Sequence, residues 1–204
     1  LPLIYEGDSP ALNDGVRKVV LFGNDTFAEN KGTAHDIANM IAELSDSTVY
    51  NCAVSGTYLA STYNYINPED AFNLYWLTTA FCYDDLYNVK SSYDDLFEEY
   101  SDQLSPEGID AFETLCSIDF NTVDVIGIMY DASDYFHKRP LYNSNNKTDI
   151  QTFYGNLKAG IELLQQEYPH IRIIVMSPAF AFAINADGEL MDSDLVDPEN
   201  ERLS

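Results

Sequence analysis

Four short, mostly apolar runs punctuate this chain: residues 19–22 (VVLF), 48–53 (TVYNCA), 123–130 (VDVIGIMY) and 171–176 (IRIIVM). The unbroken run 19–22 predicts a strand buried on both faces, as in a parallel sheet; 123–130 reads as another buried strand, and 48–53 and 171–176 as two further strands. Between them the period changes. Residues 33–44 carry Ile37, Met40, Ile41 and Leu44 at spacings of three and four, which predicts an amphipathic helix capped by Thr33. Residues 149–168 set Ile150, Phe153, Leu157, Ile161 and Leu164 on one stripe, and Pro169 stops that helix. The stretch 70–117 is different in character, with Trp76 and closely spaced Tyr and Phe residues. Breaks near residues 90–92 and at Ser105-Pro106 divide it into two or three helices, an insertion over about residues 66–118. The pairs Asp84-Asp85, Asp94-Asp95 and Glu98-Glu99 read as the solvated faces of those helices. A turn-rich lead-in precedes the first strand, and a polar, acidic end follows Ser177-Pro178.

Strands alternating with helices predict a single α/β domain over residues 1–204 with a mostly parallel sheet. In such a sheet a binding site lies at the carboxyl ends of the strands. With no fifth strand in view, the fourth presents an unpaired edge. Either a coil from the last residues covers that edge, or the chain self-associates through it.

Charge narrows the partners. Ten Lys+Arg face 34 Asp+Glu, a formal net charge of −24. Such a surface repels phosphate backbones and anionic membranes, which argues against nucleic acid and favours solubility. No stretch reaches the ~18 apolar residues of a membrane span. The first residue is Leu1 rather than Met, so the chain reads as a segment excised from an exported precursor, extracellular or at the cell surface. Cys52, Cys82 and Cys116 show neither CxxC nor Cys/His ligand spacing, so no structural zinc is expected. Cys82 and Cys116 are close enough in sequence to be bridged, and the other reading is buried free thiols. No cofactor is implied.

Three strand ends carry a pattern in order: Phe22-Gly23-Asn24-Asp25-Thr26-Phe27, then Ser55-Gly56-Thr57, then Asp131-Ala132-Ser133-Asp134. Together these resemble the SGNH hydrolases, also called the GDSL esterase/lipase family. Their blocks are a Gly-Asp-Ser turn, a glycine after the next strand, and Gly-x-Asn-Asp after the third. The resemblance spans residues 19–178 and implies a flavodoxin-like three-layer sandwich, acyl-ester hydrolysis, and acyl esters of sugars or lipids as substrates. The departures are equally specific. Ungapped, the nucleophilic serine falls on Asp25 and the aspartate before it on Asn24. With one inserted residue, Thr26 becomes the nucleophile. Asp131 replaces the third block's glycine, and Ser133 its oxyanion-hole asparagine. The Asp-x-x-His that supplies the base is not found.

Ester hydrolysis needs an activated hydroxyl, a base and oxyanion donors. The resemblance assigns the donors to Gly56 N–H and Ser133. A carboxylate at Asp25 would repel the oxyanion, and Thr26 without a base stays protonated. Of the histidines, His35 lies on the first helix and His170 at the wrong end of the sheet. His137 is on the correct side, either at the site or in a solvated cationic turn with Lys138 and Arg139. Asp25 as a covalent nucleophile would again need a base to release its intermediate. Asp25, Asp131 and Asp134 converging would suit a hard cation such as Mg²⁺ or Ca²⁺. Otherwise Asp131 and Asp134 cap loop backbone. Tyr58, Tyr63 and Tyr65, in a Ser/Thr/Asn-rich loop, would overhang the strand ends as a platform for a glycan or another small ligand. Asn24-Asp25-Thr26 and Asn146-Lys147-Thr148 match the glycosylation sequon. The sequence thus predicts an esterase-like domain with impaired hydrolysis and retained binding. The alternatives are an active hydrolase whose base lies beyond residue 204, and a divalent-cation module.

Overall fold

The computed structural model describes residues 15–83 and 89–177, with short strands at 182–184 and 190–192; side chains are described over 15–83 and 93–177. The lead-in, Asp84-Asp85 and the acidic end fall outside the described residues. The elements are β1 (Arg17–Gly23), α1 (Asp25–Ala28), α2 (Ile37–Ser45), β2 (Ser47–Asn51), α3 (Leu74–Cys82), α4 (Val89–Glu99), α5 (Pro106–Cys116), β3 (Val125–Met129), α6 (Ser133–Phe136), α7 (Phe153–Glu167), β4 (Arg172–Val175), β5 (Phe182–Ile184) and β6 (Leu190–Asp192). A single 3₁₀ turn, Phe120–Thr122, leads into β3.

The chain is α/β, with a four-stranded, all-parallel sheet in the order β2-β1-β3-β4. That is the flavodoxin-like strand order up to its fourth strand. Alternation along β1 explains the layering. Val20 and Phe22 point into a core shared with Ile126, Ile128 and the helices α3, α4, α5 and α7. Leu21 points the other way, into a smaller cluster with Phe27, Ala38 and Ala53 under α1 and α2. Burying each large apolar side chain of β1 contributes roughly 1.5–3 kcal/mol, which fixes the register of the central strand. The aromatic helices expected as an insertion therefore form most of one layer. Tyr93 stacks on Phe112 at 4.1 Å, and Phe81 on Phe120 at 3.8 Å.

Several boundaries differ from the sequence pattern. The first long helix starts at Ile37 because Asp36, not Thr33, caps it; one Asp36 oxygen accepts from Ala38 N and the other from Gly32 N. Its Met40 and Leu44 are exposed, Leu44 at 88%. α7 begins at Phe153, since Thr152 Oγ1 accepts from Gly155 N while Ile150 O is taken by Ser61 N. α4 runs through residues 90–92 without the expected break, whereas the break at Ser105 holds, with Ser105 as the cap of α5. Asp94, Asp95, Glu98 and Glu99 are solvated, as their spacing suggests. No disulfide joins the three cysteines: Cys52 is buried, Cys82 half-buried and Cys116 exposed. Burial pushes the Cys52 and Cys82 thiols up to about 12.

β4 pairs only with β3 among the described residues. β5 and β6, which the pattern did not mark, form their own antiparallel pair rather than extending the sheet. No helix among the described residues is long and apolar enough to cross a membrane.

Candidate functional site

The first strand end is shaped by a close approach. Gly23 pairs with Met129, and a Cβ on it would stand 2.1 Å from the Met129 carbonyl oxygen. Only glycine fits there, and the chain turns at once into the single turn of α1. Asn24, fully buried, tethers all three strand ends. Its Nδ2 donates to Thr57 O (3.0 Å) and to Asp131 Oδ1 (2.8 Å), while its Oδ1 accepts from Asp131 N (2.9 Å). Every hydrogen-bonding group of the Asn24 amide is thereby engaged within the fold.

Asp25 opens α1, and its carboxylate accepts the Gly56 N–H at 3.1 Å. Gly56 holds φ +70°, a left-handed turn that aims this N–H back across the gap between β1 and β2. The preceding N–H, that of Ser55, donates to Glu107 at 3.2 Å, and Lys31 lies 3.8 Å from Glu107. Two consecutive backbone donors thus each meet a carboxylate of the protein itself. The Thr26 hydroxyl has no hydrogen-bond partner among the described residues.

The third strand end acts as a clamp. Asp131 Oδ1 also accepts from Ser133 N (2.8 Å). Asp134, 1% exposed, accepts from Leu59 N and Ala60 N, both at 2.8 Å. Burial pushes the Asp134 carboxyl above its ordinary value; those two N–H groups and Arg139 pull it down, and Asp131 adds to the rise. Both aspartates therefore order loop backbone. Asp25, Asp131 and Asp134 do not gather around a common point, and no cluster of three or more metal-ligating side chains occurs among the described residues.

His137 is exposed. Its Nδ1 lies 2.8 Å from Ser133 O, so that nitrogen donates, and the ring edge packs on Tyr58 at 5.0 Å. Neither Asp25 nor Thr26 bonds to it. His35 is exposed on the lead into α2, and His170 sits at the amino end of β4 with its Nε2 buried and unbonded. The strand ends hold no nucleophile–imidazole pair among the described residues. Ser133 engages its N–H with Asp131 and its carbonyl with His137.

Arg139 corrects the reading of a solvated cationic turn. Only His137 and Lys138 are solvated. Arg139 Nη1 donates to Ala60 O (2.7 Å) and Thr62 Oγ1 (3.0 Å), Nη2 donates to Glu69 (2.5 Å), and the guanidinium lies 3.9 Å over the Tyr58 ring. Buried Asp70 stands 3.8 Å away and accepts from Thr62 N, Tyr63 N and Asn67 Nδ2. Tyr58 is thus roofed over by Arg139 and His137. Tyr63 and Tyr65 stack on each other at 5.0 Å and stay exposed. Of the two sequons, Asn24 is sealed in the core, whereas Asn146 is exposed.

Two hollows flank this segment. An apolar one of about 260 Å³ lies at the carboxyl ends of β3 and β4, between Leu59, Ile128, Ala132, Leu157 and Val175, with Asp131 at its side. A more polar groove of about 740 Å³ runs along residues 138–144 and 149–152.

No protein-family model matches the chain, and no curated protein matches it. Solved structures do. One crystal structure aligns at TM-score 0.54 and 14% identity, over 92% of this chain and 68% of its own. The crystal structure of a Lactobacillus plantarum protein aligns at TM-score 0.50 and 19% identity, over 92% and 67%. The likeness is one of fold. At these identities it carries no activity across.

Proposed function

We propose that this chain is a divergent SGNH-like domain of acyl-esterase descent that, as it stands, binds a ligand at its strand ends without hydrolysing it. The observation that carries this reading is the hydrogen bond from Gly56 N–H to the Asp25 carboxylate. In the ungapped register Asp25 stands where the nucleophile would be and Gly56 supplies an oxyanion donor. That donor is occupied by a negative charge of the protein's own. Losing one oxyanion donor costs about 3 kcal/mol of transition-state stabilisation. A carboxylate in its place adds repulsion to the developing oxyanion.

The second support is the missing proton acceptor. Thr26 has a free hydroxyl but no imidazole or carboxylate hydrogen-bonded to it. An unassisted alcohol stays protonated near neutral pH. The bound molecule would be a small ligand or glycan whose apolar part fits the 260 Å³ hollow beside Asp131.

Turnover of p-nitrophenyl acetate and butyrate tests the reading on wild type, Asp25→Ala and Thr26→Ala. The expected rate is that of buffer for all three. Hydrolysis by the wild type that disappears in Thr26→Ala would establish the alternative, a threonine-type esterase. Self-association through the outer edge of β4 is a proposal of the same standing. Sedimentation over a range of protein concentrations checks it, and a monomer throughout would remove it.

A further inference from the structure

We propose that the groove along residues 138–144 and 149–152 is a second binding site, which takes a neutral oligosaccharide. It shares no lining residue with the Asn24–Asp25–Gly56 turn and meets the apolar hollow only at Tyr135 and Leu141, so it goes beyond the function proposed above and does not depend on it. Its volume, about 740 Å³, falls inside the ~300–1,000 Å³ range of ligand clefts.

The lining has the chemistry a sugar needs. Tyr142, 66% exposed, offers a bare ring as a wall. Among the described residues, the Tyr142 and Ser144 hydroxyls, Gln151 Oε1 and the Lys138 ammonium have no internal partner. These are unspent donors and acceptors facing a polyhydroxylated ligand. A pyranose presents apolar C–H groups on its faces and hydroxyls on its rim, so it suits one aromatic wall with polar groups around it.

The groove is also preorganised. Asn143 Nδ2 donates to Asp149 Oδ2, and Asp149 Oδ1 accepts from Gln151 N. Phe153 N and Tyr154 N donate to Pro140 O and Leu141 O, which fixes the chain just before Tyr142. Gln151 Nε2 and Arg139 Nη1 both hold Thr62, the residue before the exposed, stacked Tyr63 and Tyr65. A rigid site loses little entropy when it binds. At −24 the chain as a whole repels nucleic acid and polyanionic glycans, and within the groove Asp149 stands against the Lys138 charge. The polar lining excludes lipid.

Titration of the whole chain with cellohexaose, chitohexaose, laminarihexaose, xylohexaose and mannohexaose, followed by calorimetry, tests this. At least one should bind with Kd below about 1 mM. Tyr142→Ala, at an exposed position that leaves the fold intact, should weaken that binding at least about tenfold. Asp25→Ala should leave it unchanged. The proposal is overturned if none of the five binds below about 1 mM, or if the binding survives Tyr142→Ala undiminished.

Discussion

Asn24 and Asp25 occupy a turn in which the Asn24 amide is fully engaged and one Asp25 oxygen accepts the Gly56 N–H, and their chemistry follows from that. A buried amide with all its hydrogen bonds made is a structural tether. A carboxylate on a backbone N–H is a turn cap. Asp134 carries the same logic deeper into the fold. Replacing it with Ala would leave Leu59 N–H and Ala60 N–H buried without acceptors, at a cost of about 3 kcal/mol, measurable by urea denaturation. Its titration adds a second test. Burial raises its pKa above the ordinary 3.8, so the folded chain holds that proton more tightly than the unfolded one. Its contribution to stability is whole below about pH 3.8 and is lost as pH rises through the folded value. The stability of wild type relative to Asp134→Asn should therefore fall as pH is raised from acid toward neutral; a relative gain would contradict the assignment. At this scale the capping of loop backbone by Asp131 and Asp134 was legible, because short carboxylates at strand ends accept neighbouring N–H groups. The Arg139 clamp was not legible. Its partners Glu69 and Asp70 lie some 70 positions away, and nothing local distinguishes a buried arginine from a solvated one.

Among the elements, β1 and β3 were readable because strands covered on both faces need apolar runs, whereas β2 and β4 are only partly buried, with Ile174 and Val175 exposed. Helix starts were not. Thr33 and Asp36 are both competent caps, and the choice fell to Asp36 because its two oxygens serve two different N–H groups. The one-turn helices α1 and α6 left no periodic trace, being four residues each. The contact between β1 and β3 makes a sharp prediction at Gly23. An Ala there would drive its Cβ into the Met129 carbonyl, so Gly23→Ala should cost at least about 2 kcal/mol in denaturant midpoint analysis, or fail to fold. β4 makes another. Arg172 N and Met176 N donate toward β3, so alternation turns Ile173 N–H and Val175 N–H to the outer edge. Native-state hydrogen exchange should find those two amides at least about tenfold faster than Ile174; equal protection along the strand would mean that the edge is covered.

For the molecule as a whole, the excess of acidic residues is the dominant long-range term. With 34 Asp+Glu against 10 Lys+Arg, self-repulsion opposes the compact state and is screened over roughly 10 Å at 0.1 M salt. The melting temperature should rise by several degrees between about 20 mM and 300 mM NaCl, and a flat or falling curve would show that the charges are already balanced locally. The architecture of one parallel sheet between two helical layers could be read from the sequence, whereas the groove beside α7 could not. Residues 138–144, which build much of it, have no periodic signal, residues 149–152 read as the start of the long helix, and its shape comes from loop hydrogen bonds.

Amide exchange at Gly56, followed by NMR, tests most directly whether its N–H is bonded to the Asp25 carboxylate. The predicted result is a protected Gly56 amide in the wild type that exchanges at least about tenfold faster in Asp25→Ala, while Ala28 and Cys52 stay protected. A Gly56 amide that exchanges freely in the wild type, or that is indifferent to the loss of Asp25, would contradict it.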